Sequence, residues 1–293
     1  MENKFELVGK RPTVLTESKK RRTLRGKPVI SVSFILVLIL ACSFCELFMP
    51  KDPTYMDLYN ADAAPNGEFF FGTDAMGRDI FSMIWYGGRI SLFIGFFATV
   101  ISVFIAVIFG SISGLAPKWL DSILMRFTEL LLSIPSLLFV ILLQAIMGKA
   151  NVFSISIILG ITGWMSMAKV VRSEVRQIRE SEYVIAARCM GAGFWRIVWK
   201  HLAPNFVSSI MFMAVMNVRS AIVAESTLSF IGMGLPLEII SWGSLLSLAE
   251  RSILSGSWWI IVIPGVFLVL TLLCLTNIGN HLRKTVNRKE SNL

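Results

Sequence analysis

Charge is scarce in this sequence. Of its 293 residues only 16% are Asp, Glu, Lys or Arg, while 55% are hydrophobic. At that ratio a water-soluble globule has too few polar side chains to cover its apolar surface. Histidine is scarcer still: His201 and His281 are the two present, and neither stands with a Ser, Cys or carboxylate at a spacing suited to nucleophilic or metal chemistry. A phosphate-cradling loop is also missing. Gly26-Lys27 is followed by Pro28 and Gly148-Lys149 by Ala150, so no Gly-x4-Gly-Lys-Ser/Thr sequence exists and the chain offers no nucleotide site. Cysteine is limited to four residues. Cys42 and Cys45 form a Cys-x-x-Cys inside an apolar run, without the second pair or polar pocket of a zinc or redox site, and read as membrane-packed thiols. No catalytic residue, cofactor or metal ligand is expected.

What the sequence has in abundance is long uncharged stretches. Apolar runs occupy residues 29–45, 90–115, 130–148, 150–168, 206–218 with continuation past Arg219, and 252–280. Each approaches the ~20 residues that a helix needs to cross ~30 Å of hydrocarbon. This pattern predicts an all-α integral membrane protein with six transmembrane helices.

The net charge of +9 is concentrated in three places. Lys10, Arg11, Lys19, Lys20, Arg21, Arg22, Arg25 and Lys27 precede the first run. Arg172, Arg176, Arg179, Arg188, Arg196 and Lys200 separate the fourth from the fifth, and Arg283, Lys284, Arg288 and Lys289 follow the last. With six spans these segments share one side, and their Lys and Arg excess places that side, with both termini, in the cytoplasm. The basic patches are therefore topology signals, not a nucleic-acid footprint. The expected organisation is a basic cytoplasmic tail (1–28), a first transmembrane helix (29–49), an acidic extracellular segment (50–88), a helical transmembrane domain (89–282) and a second cytoplasmic tail (283–293). The first run follows a long basic region and lacks a small-x-small cleavage site, so it is expected to remain as a span.

Within the bundle, Ala98, Ser102, Ala106, Gly110 and Gly114 recur at every fourth position, which lines one helix face with small side chains and predicts a close helix–helix seam. Pro135 and Pro264 each remove a backbone hydrogen bond and predict kinks. Arg126 and Glu129 are spaced for a local ion pair. Arg172, Arg176 and Arg179 share a helix face that would hold lipid phosphates or a partner, or simply anchor the inner boundary. Met211, Met213 and Met216 fit flexible packing better than soft-metal passage.

The segment 182–205 is the most informative. It predicts a short helix with Ala186 and Ala187, a break at Gly191-Ala192-Gly193, a second amphipathic turn carrying Phe194, Trp195, Ile197 and Val198, and Pro204 opening the next span. Such a helix suits either a grip by another protein or a position flat on the membrane. The residues alone leave both open.

Its arrangement Ala-Ala-x3-Gly-x12-Pro resembles the loop motif of binding-protein-dependent importer permeases of the ABC class. Three further stretches resemble the dipeptide, oligopeptide and nickel branch of that class, in its second, C-type permease. They are Phe-Gly-Thr-Asp-x-x-Gly-Arg-Asp (71–79), Tyr-Gly-Gly-Arg-Ile-Ser-Leu (86–92) and Glu-Ser-Thr-Leu-Ser-Phe-Ile-Gly-Met-Gly-Leu (225–235) with Ser-Trp-Gly (241–243). The resemblance covers about residues 30–285. Ile185 and Ala203 depart from the usual glutamate before the alanines and aliphatic residue before the proline. It implies a cytoplasmic coupling helix between the fourth and fifth spans, with Glu182, Ala186, Ala187, Gly191 and Pro204 engaging an ATPase. It further implies a heterodimer with a second permease, two ATPase subunits holding ATP and Mg, an extracellular solute-binding protein and a bacterial plasma (inner) membrane setting. Di- or oligopeptides are the implied cargo, with nickel or a metal chelate as the alternative. The reading from a different class is an ATP-independent carrier or membrane scaffold, for which the inverted repeats expected of many carriers are not visible.

Arg219 and Glu225 are charges inside the fifth run, where each costs several kcal/mol unless it faces protein or water. Six residues separate them by roughly 9 Å and 120° on a helix, too far for a direct pair. They are expected either to border the translocation pathway or its outer gate, or to fix packing through partners on other helices.

Overall fold

The computed structural model describes residues 28–193, 196, 203–236 and 238–290; among these it is helical apart from turns and one isolated bridge between Thr73 and Asp79. The helices are α1 (Val29–Ser43), α2 (Ile80–Leu115), α3 (Lys118–Ser133), α4 (Ser136–Met147), α5 (Val152–Ile178), α6 (Glu182–Cys189), α7 (Ala203–Phe230), α8 (Trp242–Ser255) and α9 (Trp259–Glu290). The basic tail before residue 28 and the turn with Phe194, Trp195, Ile197 and Val198 lie outside the described residues.

Four helices contain apolar stretches long enough to cross a membrane: Ile80–Leu115, Val152–Ile178, Ile210–Phe230 and Trp259–Thr285. The pair α3 and α4 makes a fifth if taken as one broken span, and α1 is apolar but 15 residues long. A helix of that length rises about 22 Å. Where the sequence suggests a kink, the chain breaks: α3 and α4 meet at 91°. Ile134 and Pro135 both take extended ψ values, 128° and 124°. Proline disfavours helical geometry in its predecessor and lacks the N–H for the ladder. Pro264, by contrast, lies within α9 without ending it.

The small-residue face of α2 is a seam against α5. A Cβ on Gly110 would lie 2.7 Å from the Ala168 carbonyl oxygen, and one on Gly114 2.6 Å from Val175. Ser102 Oγ donates to the Gly160 carbonyl at 2.8 Å. Without side chains between them the two backbones reach a separation that lipid-driven association alone does not supply.

The segment before α2 enters the helix earlier than its composition suggests. Asp79 caps the helix by accepting from Ser82 N and Ser82 Oγ at 3.0 and 2.6 Å, so residues 80–88 are helical. Just before it, Asp74 pairs with Arg78 at 2.7 Å and accepts from the backbone N–H of Met76 and Arg78, each at 2.9 Å. Trp259 Nε1 donates to the Thr73 carbonyl at 3.1 Å, which joins this buried knot to the start of α9.

Candidate functional site

Three of the sequence motifs converge on one buried point. Gly87 of α2 faces the backbone of Ser241, and Gly88 packs where Cys42 of α1 and Trp242 of α8 meet. Trp242 is fully buried and donates its indole N–H to the Ile84 carbonyl at 3.0 Å. Beneath it lies Glu225 of α7, with 0% of its surface exposed. Its carboxylate oxygens receive the hydroxyls of Ser241 at 2.7 Å, Ser229 at 3.0 Å and Ser91 at 3.2 Å, with Ser226 at 3.5 Å. The first three hydroxyl oxygens in turn accept backbone amides: Ser91 from Trp242, Ser229 from Leu235 and Ser241 from Ser244. Trp242 and Ser244 belong to the first turn of α8, whose amides lack intrahelical acceptors and carry partial positive charge. The serines relay that polarity onto the carboxylate and fasten α7 to α2 and α8.

Arg219 lies elsewhere, as the sequence spacing requires. It lines a cavity of about 390 Å³ together with Ser136, Thr162, Asn217, Ser220 and Thr227. Glu225 is not among the lining residues. Arg219 Nη1 donates to Thr276 Oγ1 of α9 at 3.4 Å, and its Nε is buried without an acceptor. Asn217 bridges outward from the cavity, accepting from Thr99 of α2 at 3.0 Å and donating to the Gly163 carbonyl of α5 at 3.3 Å. The polar step Asn217-Val218-Arg219 in an otherwise apolar run is the signal that marks Asn217.

At the opposite end of α5 the chain turns directly into α6. Val184 is fully buried in a cluster with Val107, Val171, Val175 and Ile210. Ala187, 4% exposed, faces the same way. Glu182, Ile185, Ala186, Cys189 and Met190 point outward. The two alanines of the motif thus face opposite directions, one into the bundle and one out. Gly191 ends the helix at φ +78°, and Ala192 N bonds back to the Ala187 carbonyl at 3.0 Å. Pro204 stands in the first turn of α7.

The arginine face of α5 serves the bundle itself. Arg172 grips both carboxylate oxygens of Asp121 on α3, and Arg176 reaches one of them at 3.3 Å. Ser113 at the end of α2 donates to the same carboxylate at 2.6 Å, and Arg179 bonds the Gly114 carbonyl at 3.1 Å. This clamp escapes a reading along one helix, because its acid lies 51 positions from its base. Nor does Arg126 pair with Glu129; Lys169 of α5 lies 3.9 Å from Glu129 instead.

Comparison with known proteins matches residues 106–288 to the family described as the binding-protein-dependent transport system inner membrane component. The chain is 38% identical to the dipeptide transport system permease protein DppC of Bacillus subtilis over 282 residues, covering 96% of this chain and 88% of that protein. It is also 38% identical to the oligopeptide transport system permease protein OppC of the same organism, covering 89% and 85%. The OppC protein of Haemophilus influenzae is 36% identical, with 94% and 89% covered. Both the family match and the length of these alignments lead to one conclusion: the chain belongs to the family of inner membrane components of binding-protein-dependent transport systems.

Proposed function

We propose that the chain is one of two permeases in an ATP-driven importer of di- and oligopeptides in a bacterial inner membrane. In this reading α1, α2, the broken pair α3–α4, α5, α7 and α9 are the six spans, with both termini and α6 in the cytoplasm. Residues 1–28 and 283–293 are the cytoplasmic tails, 50–88 the extracellular segment and 89–282 the transmembrane domain. A second permease completes the pathway, two ATPases bind ATP and Mg, and an extracellular binding protein delivers the peptide. The names of the similar permeases support peptide as cargo.

The observation that carries the reading is the exposed stripe on α6. Ile185 on α6 is 49% exposed and Met190, just past its end, 81% exposed, while the other face of the helix is locked into the bundle by Val184. An apolar stripe supported from behind suits an ATPase groove. Glu182, Ala186 and Gly191 are its contact and end points, Ala187 holds it to the bundle, and Pro204 starts the span that follows. Arg219 borders the pathway, and Glu225 supports the wall behind it.

The test is co-purification with the ATPase subunits. Replacing both Ile185 and Met190 by Arg should abolish their association while the two permeases still assemble. Unchanged association, or peptide uptake that persists when the ATPases are deleted, refutes the reading.

A further inference from the structure

We infer that Arg219 and the N-terminal end of α4 form a subsite for the C-terminal carboxylate of the transported peptide. This rests on the peptide-importer reading and goes on to say which chemical group of the substrate is handled and where. A guanidinium inside a membrane span is costly unless it meets an anion or water. Among the described residues, the one hydrogen bond of Arg219 is the long contact to Thr276, and its Nε is buried without a partner. Arg219 is also the single charged residue in the cavity wall; Ser136, Thr162, Asn217, Ser220 and Thr227 are polar but neutral. The cavity is thus a largely apolar chamber, walled also by Leu137, Val140, Leu159 and Val223, with a few neutral polar groups and one positive pole, and among the described residues that line it there is no anion.

A second source of positive field meets it there. Ser136 is the first residue of α4, and the N-cap Pro135 supplies no side-chain acceptor for the first-turn amides. The break at Pro135 brings this helix end to the cavity instead of letting α3 run on past it. Discontinuous helices present their N-termini to anionic groups of substrates in this way. Among short peptides the side chains vary, whereas the terminal carboxylate does not. A site that reads only that group admits diverse sequences.

The experiment uses the complete transporter, with its binding protein, in proteoliposomes. Uptake of one short peptide is compared with uptake of its C-terminally amidated form, in the wild type and in Arg219→Gln. The binding protein is common to both, so its own preference cancels in the ratio of ratios. The preference for the free carboxylate should fall about tenfold or more in Arg219→Gln, the weight of one charge-assisted hydrogen bond. In case Arg219→Gln does not assemble, Arg219→His gives an independent reading. Its preference for the free carboxylate should grow as pH falls through about 6.5, where imidazole gains its charge. An unchanged ratio in Arg219→Gln, or a pH-independent ratio in an active Arg219→His, overturns the subsite. Failure of the wild type to carry either peptide overturns the peptide reading instead.

Discussion

Removing the carboxylate of Asp121 should loosen the end of the bundle that bears α6. Asp121 is 4% exposed and receives Arg172, Arg176 and Ser113 together. Breaking a fully buried ion pair costs about 3–5 kcal/mol, and breaking an exposed one about 0–1 kcal/mol. The acid here is buried, but the side chains of Arg172 and Arg176 are 24% and 35% exposed. Once freed, they reach water. The case falls between the limits, so Asp121→Asn should cost about 2 kcal/mol, a fall of roughly 4–8 °C in melting temperature. Thermal unfolding of the purified protein in nanodiscs, followed by tryptophan fluorescence, measures this directly. Arg172→Gln alone should cost less, because Arg176 remains on the acid. The double variant should be less destabilised than the sum of the singles by about 1 kcal/mol, as for residues sharing one network. A melting temperature for Asp121→Asn within about 1 °C of wild type, or strict additivity in the double variant, refutes the clamp.

Other expectations follow from single distances and angles. Gly110→Val places a side chain where a Cβ alone lies 2.7 Å from the Ala168 carbonyl oxygen; it should lower stability by about 1–3 kcal/mol or block assembly, and a melting curve like wild type would remove the seam from the argument. Gly191 has open space around it but φ +78°, so Gly191→Ala should cost about 1 kcal/mol of helix-end geometry and weaken ATPase co-purification. Gly191→Asn, a residue that tolerates this region, should recover most of it, and equal behaviour of the two variants counts against a left-handed cap. Glu225→Gln puts an amide N–H₂ among four serine hydroxyls that all point at the carboxylate; a loss of about 1–3 kcal/mol is expected. Uptake should fall in proportion to that loss of stability, and uptake abolished at wild-type melting temperature would show that Glu225 acts on transport and not only on packing.

The membrane helices were legible because their signal is local. A run without charge reports its own solvent, and every fourth residue being small reports its own seam, as Ala98 through Gly114 do on α2. Local signals also produced the boundary differences. Asp79 starts α2 within the acidic segment, and α8 spans the gap between the fifth and sixth apolar runs together with the start of the sixth. The capping pair Ser241 and Ser244, with Ser241 N to Ser244 Oγ at 2.8 Å, is the sequence mark that would have exposed α8. The clamp at Asp121 and the serines around Glu225 were not legible because their partners come from different helices. Ser91 and Glu225 are 134 positions apart, and no pattern along either helix announces the other.

These contacts join some helices of the molecule more closely than others. α2 and α5 touch backbone to backbone, and Asp121 ties α3 to both through Ser113 and Arg172. α6 is seated by Val184 against Val107 of α2, Val171 and Val175 of α5 and Ile210 of α7, and Arg179 holds the turn before it to Gly114. α7 is bound to α2 and α5 in a different manner. Toward its C-terminal end the Glu225 network pins it to α2 and α8, while nearer its middle the link across the seam is the pair of hydrogen bonds at Asn217, 3.0 and 3.3 Å long. If force enters at α6, it reaches α7 directly at Ile210 as well as through α2 and α5, and the Glu225 network is where α7 is held by the most hydrogen bonds. Arg219 lies between Asn217 and Glu225 along α7, on the wall of the cavity. The two polar nodes thus occupy separate places along α7, with Arg219 between them: a shared carboxylate near its C-terminal end, and the Asn217 hydrogen bonds to α2 and α5 nearer its middle.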